Sequence, residues 1–181
     1  MAALTDLSLQ GIHDPAVMPF TTPFTDVPSP EFERRSYQHY FRQWAEWSPE
    51  RWALQFAVRA DGRLVGTQAI EATDFVTRRT ILSGSWLGAE HQRQGIGTEM
   101  RAAVLEFAFG HLGARRAETE AHADNVASLE VTRRLGYRPN GDRWTTSRGQ
   151  QVVTLDFVLD ADDWTPRADV TVEGLGPEAL S

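Results

Sequence analysis

The chain contains no cysteine. That absence excludes a disulfide framework, a thiol nucleophile and a zinc or iron–sulfur centre held by cysteines, so packing must hold the fold together. The five histidines show no metal-binding spacing such as His-x-x-x-His, and we expect no metal site. No apolar run approaches the ~18 residues that a membrane span needs, and the first basic side chain, Arg34, lies too late for a secretory signal. The sequence predicts a soluble, cytoplasmic protein.

Basic residues are in the minority. Lys and Arg total 18 against 25 Asp and Glu, which gives a formal net charge of −7. This is the wrong sign for a protein whose main partner is a polyphosphate, so we expect no general nucleic-acid binding. A length of 181 residues, of which 41% are hydrophobic, suffices for one well-packed domain. We predict a single domain over residues 1–160, followed by a C-terminal extension over residues 161–181.

Two hydrophobic periodicities divide the chain into helices and strands. Behind Pro30 the apolar residues recur every three or four positions, which indicates an amphipathic helix whose tryptophans, Trp44 and Trp47, we expect to pack in the core with Trp52. The next segments alternate with period two around the hairpin turn at Asp61-Gly62. Predicted helices cover residues 4–12, 30–48, about 97–112 and 126–135, and predicted strands cover 52–59, 63–71, 80–87, 116–122, 142–147 and 151–159. The order predicts an α/β or α+β domain.

A glycine-bearing turn, Gln92-Arg93-Gln94-Gly95-Ile96-Gly97-Thr98, lies between an apolar strand and a long apolar helix. Glycines let the backbone turn tightly, and the unpaired N–H groups at a helix start attract a phosphate. The pattern is neither a dinucleotide fingerprint, because position 100 is Met, nor a P-loop, because no Gly-Lys-Ser/Thr follows. By itself it predicts either an anion site or an ordinary strand-to-helix turn.

The motifs taken together resemble a known family. Gln-x-x-Gly-x-Gly follows a strand, and Asp124-Asn125-x-x-Ser128 opens a later helix that ends in Leu135-Gly136-Tyr137. This ordered set, over roughly residues 50–160, resembles the GNAT superfamily of CoA-dependent N-acyltransferases and, within it, the RimJ/RimL-like branch. Residues 13–25, 84–88 and 97–105 further resemble a mostly actinobacterial subgroup. The resemblance implies a GNAT fold, in which helices flank a mixed, mostly antiparallel central sheet.

The resemblance also implies a binding site for acetyl-CoA or another acyl-CoA such as succinyl-CoA. The backbone amides of the glycine turn would hold the pyrophosphate, and the main chain around Leu87 would pair with the pantetheine arm and polarise the thioester carbonyl. Arg133 or Arg134 would reach the adenosine phosphates, unless both are only solvated. The implied cofactor-binding residues are Trp86, Leu87, Gly88, Gln92, Arg93, Gln94, Gly95, Ile96, Gly97, Thr98, Asn125, Ser128 and Arg133.

Acyl transfer to an amine needs a base and a proton donor. Glu71, at the end of the second strand, is the first candidate base, and Glu120 is the second. Glu118 and His122 would share the face of the strand that carries Glu120. Solvated surface charges are the alternative for each carboxylate. Ser128 and Tyr137 compete as proton donor to the CoA sulfur, although Ser128 could cap the helix and Tyr137 could pack in the core.

The chain departs from the family at its start, because it begins inside the first helix without the strand that normally precedes it. The segment 169–175 has strand character and could cover the bare sheet edge, either in cis or from a second subunit of a homodimer. The proline-rich stretch 13–25 resembles the acceptor-side loop of the subgroup. Trp44, Trp47 and Trp52 could instead line the acceptor pocket, and Arg78 and Arg79 could accept an acyl carboxylate or remain surface charges.

The leading functional prediction is an acyl-CoA-dependent N-acyltransferase, with acetyl-CoA as the default donor. Its partners would be the acyl-CoA and an amine acceptor, either a small molecule or a protein N-terminus. Two alternatives stay open at this point. One is a GNAT-like sensor that holds acyl-CoA without efficient catalysis, and the other is an interaction domain with no CoA affinity.

Overall fold

The structure is a computed structural model that describes residues 1–176. Its helices are α1 (Ala2–Leu9), α2 (Glu31–Ala45), α3 (Phe75–Arg78), α4 (Ile96–Glu106) and α5 (Val126–Arg134), and one π-helical stretch, Phe107–His111, prolongs α4. Its strands are β1 (Arg51–Ala60), β2 (Arg63–Thr73), β3 (Thr80–Leu87), β4 (Arg116–His122), β5 (Arg138–Ser147) and β6 (Gln150–Asp160). None of the described helices is long and apolar enough to cross a membrane.

The six strands form one sheet in the order β1-β2-β3-β4-β6-β5. Every neighbouring pair is antiparallel except β3 and β4, which are parallel and are joined through α4. Asp61 and Gly62 close the β1–β2 hairpin with φ values of 50° and 76°, as a type I′ turn requires. The mixed, mostly antiparallel sheet with flanking helices confirms the predicted fold class.

The parallel pairing of β3 with β4 is short. Only three residue pairs join the two strands, and the last of them is Leu82 with Glu118. Beyond that pair, β3 continues along β2 to Leu87, while β4 continues along β6 to His122. The two strands therefore separate, and the wedge-shaped gap between Ser83–Leu87 and Thr119–His122 is called the splay below.

Helix α4 packs on one face of the sheet. Val104 and Leu105 lie in one buried cluster with Ile70, Ile81 and Ala117, which come from three successive strands of the sheet. Since side chains alternate along a strand, the neighbours Glu71 and Glu118 point to the opposite face. The sheet thus has an apolar face under α4 and a face with carboxylates on the other side.

The aromatic residues of α2 correct one prediction. Trp44 is 67% exposed and Trp47 is 49% exposed, so neither is a core residue in this chain. Trp52 is half-buried, with its ring 5.3 Å from that of Phe75 and 6.0 Å from that of Trp47. Core packing is confirmed only in part, for Trp52, because α2 covers the sheet with few of its residues and buries only Phe32.

The chain begins in α1, and within residues 1–176 β1 pairs with β2 alone, so its other edge is open. Residues 169–175 form no strand and do not close that edge in cis. Residues 170–175 instead line an open groove of about 1980 Å³ along the apolar face of β1. Glu106 anchors the start of this extension, because its Oε2 accepts hydrogen bonds from Trp164 Nε1 at 2.9 Å and from the Arg167 amide at 2.8 Å. Pairing from a second subunit stays a prediction.

Candidate active site

The glycine turn forms a cradle of free amides at the start of α4. Gly95 caps the helix in the left-handed region, at φ 87°, and Arg93 also has a positive φ, 61°. Within the described chain, the five successive N–H groups of residues 93–97 donate to no protein acceptor. Thr98, which was also predicted to contribute, differs, since its amide donates to Gly95 O at 2.9 Å. Five amides at a helix N-terminus suit a phosphate group.

The glutamines of the turn hold it in place rather than offering free donors. Gln92 Nε2 donates to Leu87 O at 3.0 Å and to Ile12 O at 2.7 Å. Gln94 Nε2 donates to Glu90 O at 2.7 Å. The Arg93 side chain is exposed at the cradle. A Cβ built on Gly95 meets nothing within 4 Å, so the space above the cradle is open.

The splay begins beside this cradle. Trp86 and Leu87 lie at the outer end of β3 and pair with β2 on one side only, and Gly88, which follows, donates its amide to Val65 O at 2.9 Å. The backbone groups of β3 that point away from β2 have lost their strand partner on β4. An extended chain with amide groups, such as a pantetheine arm, could pair with them as a strand would. Trp86 and Leu87 border the splay, and their predicted role in binding a pantetheine arm stays a prediction.

On the carboxylate face, Glu71, Leu82 and Glu118 form one row across β2, β3 and β4. Strands lie about 4.8 Å apart, so the two glutamates stand roughly 10 Å apart across Leu82 at the apex of the splay. Glu71 makes no ion pair and no side-chain hydrogen bond within residues 1–176. Its carboxylate is thus available to an incoming group.

A pocket of about 520 Å³ lies over this row, beneath α2. Besides Glu71 and Glu118, the pocket is lined by titratable side chains from α2 and the residue after it, from β1 and from α3, namely His39, Arg42, Glu46, Arg51 and Arg78. Partial desolvation beneath α2 lowers the pKa of His39, although its side chain is exposed in part; nearby Arg42 acts in the same direction, and Glu71 opposes them. The pocket thus has two acidic side chains on the sheet, Glu71 and Glu118, and a basic rim formed by Arg42, Arg51 and Arg78.

Glu120, the second candidate base, is already engaged. Its Oε1 accepts a hydrogen bond from Thr21 Oγ1 at 2.9 Å, and its Oε2 accepts one from Arg143, which also pairs with Asp156. The hydrogen bond to Asp156 is the largest cause that raises the pKa of Arg143. Both oxygens of Glu120 therefore have donors, whereas Glu71 has none in the described chain.

Asn125 and Ser128 open α5 at the far side of the splay. Asn125 Oδ1 accepts the Ser128 amide at 3.1 Å and so caps the helix, while its Nδ2 donates to Pro19 O at 3.3 Å. The hydroxyl of half-buried Ser128 makes no hydrogen bond within the described residues. Arg133 and Arg134, in the last turn of α5, are both exposed.

Tyr137, the other candidate donor, lies in a different environment. Its side chain is 5% exposed and its hydroxyl is buried. Burial raises the pKa of Tyr137, and neighbouring Arg101 and Ser83 oppose the rise. The structure thus places Tyr137 inside the domain, as the packing alternative predicted, and leaves Ser128 as the more accessible hydroxyl.

The N-terminal segment (residues 12–26) crosses from one side of the splay to the other. It is tied to the end of β3 by Gln92, to the end of β4 by His122, whose Nδ1 lies 3.1 Å from Met18 O, and to α5 by Asn125. Arg148 also holds it, since its Nε donates to Asp26 at 2.7 Å and its Nη1 donates to Pro15 O at 2.8 Å. The segment predicted as an acceptor-side loop is thus held by Arg148, which no local sequence signal indicated, because it lies in a hairpin turn 122 residues from Asp26.

No group of histidine, aspartate or glutamate residues in the described chain is arranged to hold a metal ion. What the site combines is a set of phosphate-binding amides, an unpaired strand edge, a free carboxylate and an accessible hydroxyl. Such a set suits the binding of an elongated phosphorylated molecule and a proton transfer at its end.

Comparisons with known proteins agree with this geometry. A family described as the acetyltransferase (GNAT) domain matches residues 2–138. RimJ from Mycobacterium smegmatis, solved with a CoA disulfide, is 21% identical, with coverage of 90% of this chain and 78% of that chain and a TM-score of 0.71. RimL, described as a ribosomal alpha-N-protein acetyltransferase and solved with coenzyme A, is 18% identical, with coverage of 90% and 89% and a TM-score of 0.69.

A third structure, a ribosomal-protein-alanine N-acetyltransferase from Brucella melitensis, is 16% identical, with coverage of 71% of this chain and 78% of that chain and a TM-score of 0.57. At such identities these likenesses establish the fold. They are consistent with the RimJ/RimL-like branch that the motifs predicted.

Proposed function

Because the chain belongs to the GNAT acetyltransferase family and is thus an N-acetyltransferase, we propose that it transfers an acyl group directly from acyl-CoA, with acetyl-CoA as the first donor to test, to a primary amine. The observation that carries this proposal is the junction of the free amides of residues 93–97 with the splay. An acyl-CoA whose diphosphate binds these amides would extend its pantetheine arm into the splay. Its thioester would then lie near the row of Glu71, Leu82 and Glu118.

The site residues divide the chemistry as follows. Glu71, directly or through a water, takes the proton of the acceptor ammonium. The free amine nitrogen attacks the thioester carbonyl carbon, and a backbone N–H on the splayed edge of β3 stabilises the charge that develops on the carbonyl oxygen. The C–S bond then breaks, and Ser128 supplies a proton to the CoA thiolate. The attacking nitrogen loses its second proton as the amide forms, and this proton returns to the Ser128 oxygen through water, so the serine is regenerated. Each proton transfer is worth roughly 10²–10⁴-fold.

The acceptor amine would enter through the pocket beneath α2, where Glu71 and Glu118 suit a cationic amine. The basic rim formed by Arg42, Arg51 and Arg78 would suit a neutral or anionic group beyond that amine. Both a small amine and a protein N-terminus fit this description. Arg93, exposed at the cradle, and Arg133 or Arg134 on α5 would meet the adenosine phosphates.

The test is release of free CoA thiol from acetyl-CoA and from succinyl-CoA with a panel of amines. Glu71→Gln should lower kcat by about a hundredfold, with CoA affinity retained. Glu120→Gln is the matched control, since it removes a carboxylate of the same sheet face that already has donors. Thiol release that Glu71→Gln leaves unchanged would remove Glu71 from the mechanism, and CoA binding with no release for any amine would refute the proposed activity.

A further inference from the structure

Arg101 is the only arginine that is buried within residues 1–176. It is 4% exposed and makes no ion pair in that range. Its Nη1 donates to Thr119 Oγ1 at 3.1 Å and its Nη2 donates to Ser85 Oγ at 3.2 Å, while its buried Nε has no partner. Burial lowers the pKa of Arg101, and Tyr137 acts against this. The guanidinium is thus held by neutral groups alone.

A buried cation without an anionic partner is costly, and an apolar side chain of similar volume is often at least as stabilising. Packing therefore does not explain why an arginine occupies the middle of an otherwise apolar helix face. The position of its two hydrogen-bond acceptors does offer a reason.

Ser85 and Thr119 lie on the two strands that separate at the splay. Thr119 directly follows the last residue of β4 that pairs with β3, and Ser85 lies three residues beyond Leu82, the last paired residue of β3. The guanidinium is a rigid planar fork, so binding one hydroxyl on each strand fixes their separation. Thr119 continues the link, because its Oγ1 donates to Ser83 O at 3.2 Å. Arg101 thus bridges a gap that no backbone ladder spans.

Arg101 also belongs to the helix that carries the phosphate cradle. Residue 96 opens α4 and residue 101 lies in its second turn. One helix therefore presents the free amides and, one turn later, bridges the splay. A change in this bridge would alter the gap between the strands without touching the amides themselves.

We propose that Arg101 is a positioning residue that sets the width of the splay relative to the cradle, and so controls binding of the pantetheine half of CoA. This inference rests on the proposed function for the identity of the ligand. The two halves of CoA then bind different parts of the site: the adenosine diphosphate half binds the cradle, and the pantetheine half binds in the splay.

The experiment compares CoA with adenosine 3′-phosphate 5′-diphosphate, the nucleotide half alone, by titration calorimetry. Arg101→Met and Arg101→Lys should weaken CoA binding about tenfold to a hundredfold, because the ligand must then supply the free energy that the two hydrogen bonds of Arg101 otherwise provide to hold the strands at the binding separation. The affinity for the nucleotide half should not change. Arg101→Lys should recover part of the loss, since an ammonium can reach one hydroxyl at a time. Arg34→Met, an exposed arginine of α2, is the control and should change neither affinity.

Ser85→Ala is a second, milder variant that tests the same inference if the Arg101 variants do not fold. It removes one acceptor, leaves Arg101 in place, and should weaken CoA several-fold while sparing the nucleotide half. Equal weakening of both ligands, or of neither, in the folded variants would overturn the inference. If the wild-type chain binds no CoA, the proposed function fails first. If it binds CoA but transfers no acyl group, the proposed activity fails while the positioning role can still be measured.

Discussion

The cradle at the start of α4 is open to a direct test through Gly95. This residue has φ 87°, and the substitution Gly95→Ala forces an L residue into the left-handed region. The strain costs about 1–2 kcal/mol. Because nothing lies within 4 Å of the added Cβ, no steric clash adds to this cost. In a chain of this size, the expected fall in Tm is about 2–4 °C per kcal/mol.

The effect on binding has a separate origin. An alanine here either keeps the strained φ and projects a methyl group into the open space above the amides, or relieves the strain by turning the amides of residues 95 and 96. In the first case the methyl group obstructs the approach of the phosphate, and in the second case some N–H groups no longer face it. Losing one or two hydrogen bonds to a charged group costs about 1.5–3 kcal/mol each, so CoA affinity should fall at least tenfold.

Gly62 provides the matched control. It too has a positive φ, 76°, with nothing within 4 Å of a built Cβ, but it lies in the β1–β2 hairpin. Gly62→Ala should lower Tm by a similar amount and leave CoA binding intact. Calorimetric titration with CoA and thermal unfolding of both variants settle the point. If Gly95→Ala and Gly62→Ala bind CoA with equal affinity, the free amides do not form the phosphate site.

Three further predictions concern single side chains. Ser128→Ala should lower kcat by about 10²-fold without weakening CoA, measured by thiol release; an unchanged kcat would exclude Ser128 as the proton donor. Asp26→Asn, which breaks the pair with Arg148, should speed amide hydrogen exchange across residues 12–26 and raise KM for the acceptor amine, and equal exchange in both proteins would show that this pair does not anchor the segment. The folded-state pKa of His39 lies below its ordinary 6.5, so the unfolded chain binds more protons and stability should fall as pH drops below about 6.5, levelling off below the folded pKa. His39→Gln should remove that part of the pH dependence of Tm.

The local signals in the sequence predicted most of the fold. Alternation around Asp61-Gly62 and helical spacing behind Pro30 reflect backbone geometry within a few residues, and both elements lie where they were predicted. The strand predicted over residues 142–147 begins earlier, at Arg138, with an irregularity between Pro139 and Asp142. A bulge interrupts alternation, so periodicity detects only the regular half of such a strand.

The splay and its bridge could not be predicted in the same way. Alternation shows which face a residue takes, but it does not show that the β3–β4 ladder stops at Leu82. Arg101 is a single polar residue in an apolar helix pattern, and only its contacts with Ser85 and Thr119 distinguish it from a surface charge. The exposure of Trp44 likewise depends on how much of α2 the sheet covers, which local spacing does not encode.

The open edge of the sheet does not by itself compromise the site. The splay lies between the third and fourth strands in the order of the sheet, and β2 already pairs with both β1 and β3. The free edge of β1 is two strand spacings from β3, about 10 Å. Moreover, the residues of the Arg101 bridge come from α4, β3 and β4 rather than from β1. The unpaired outer edge of β1 within residues 1–176 should therefore affect the stability and solubility of the chain more than its affinity for CoA.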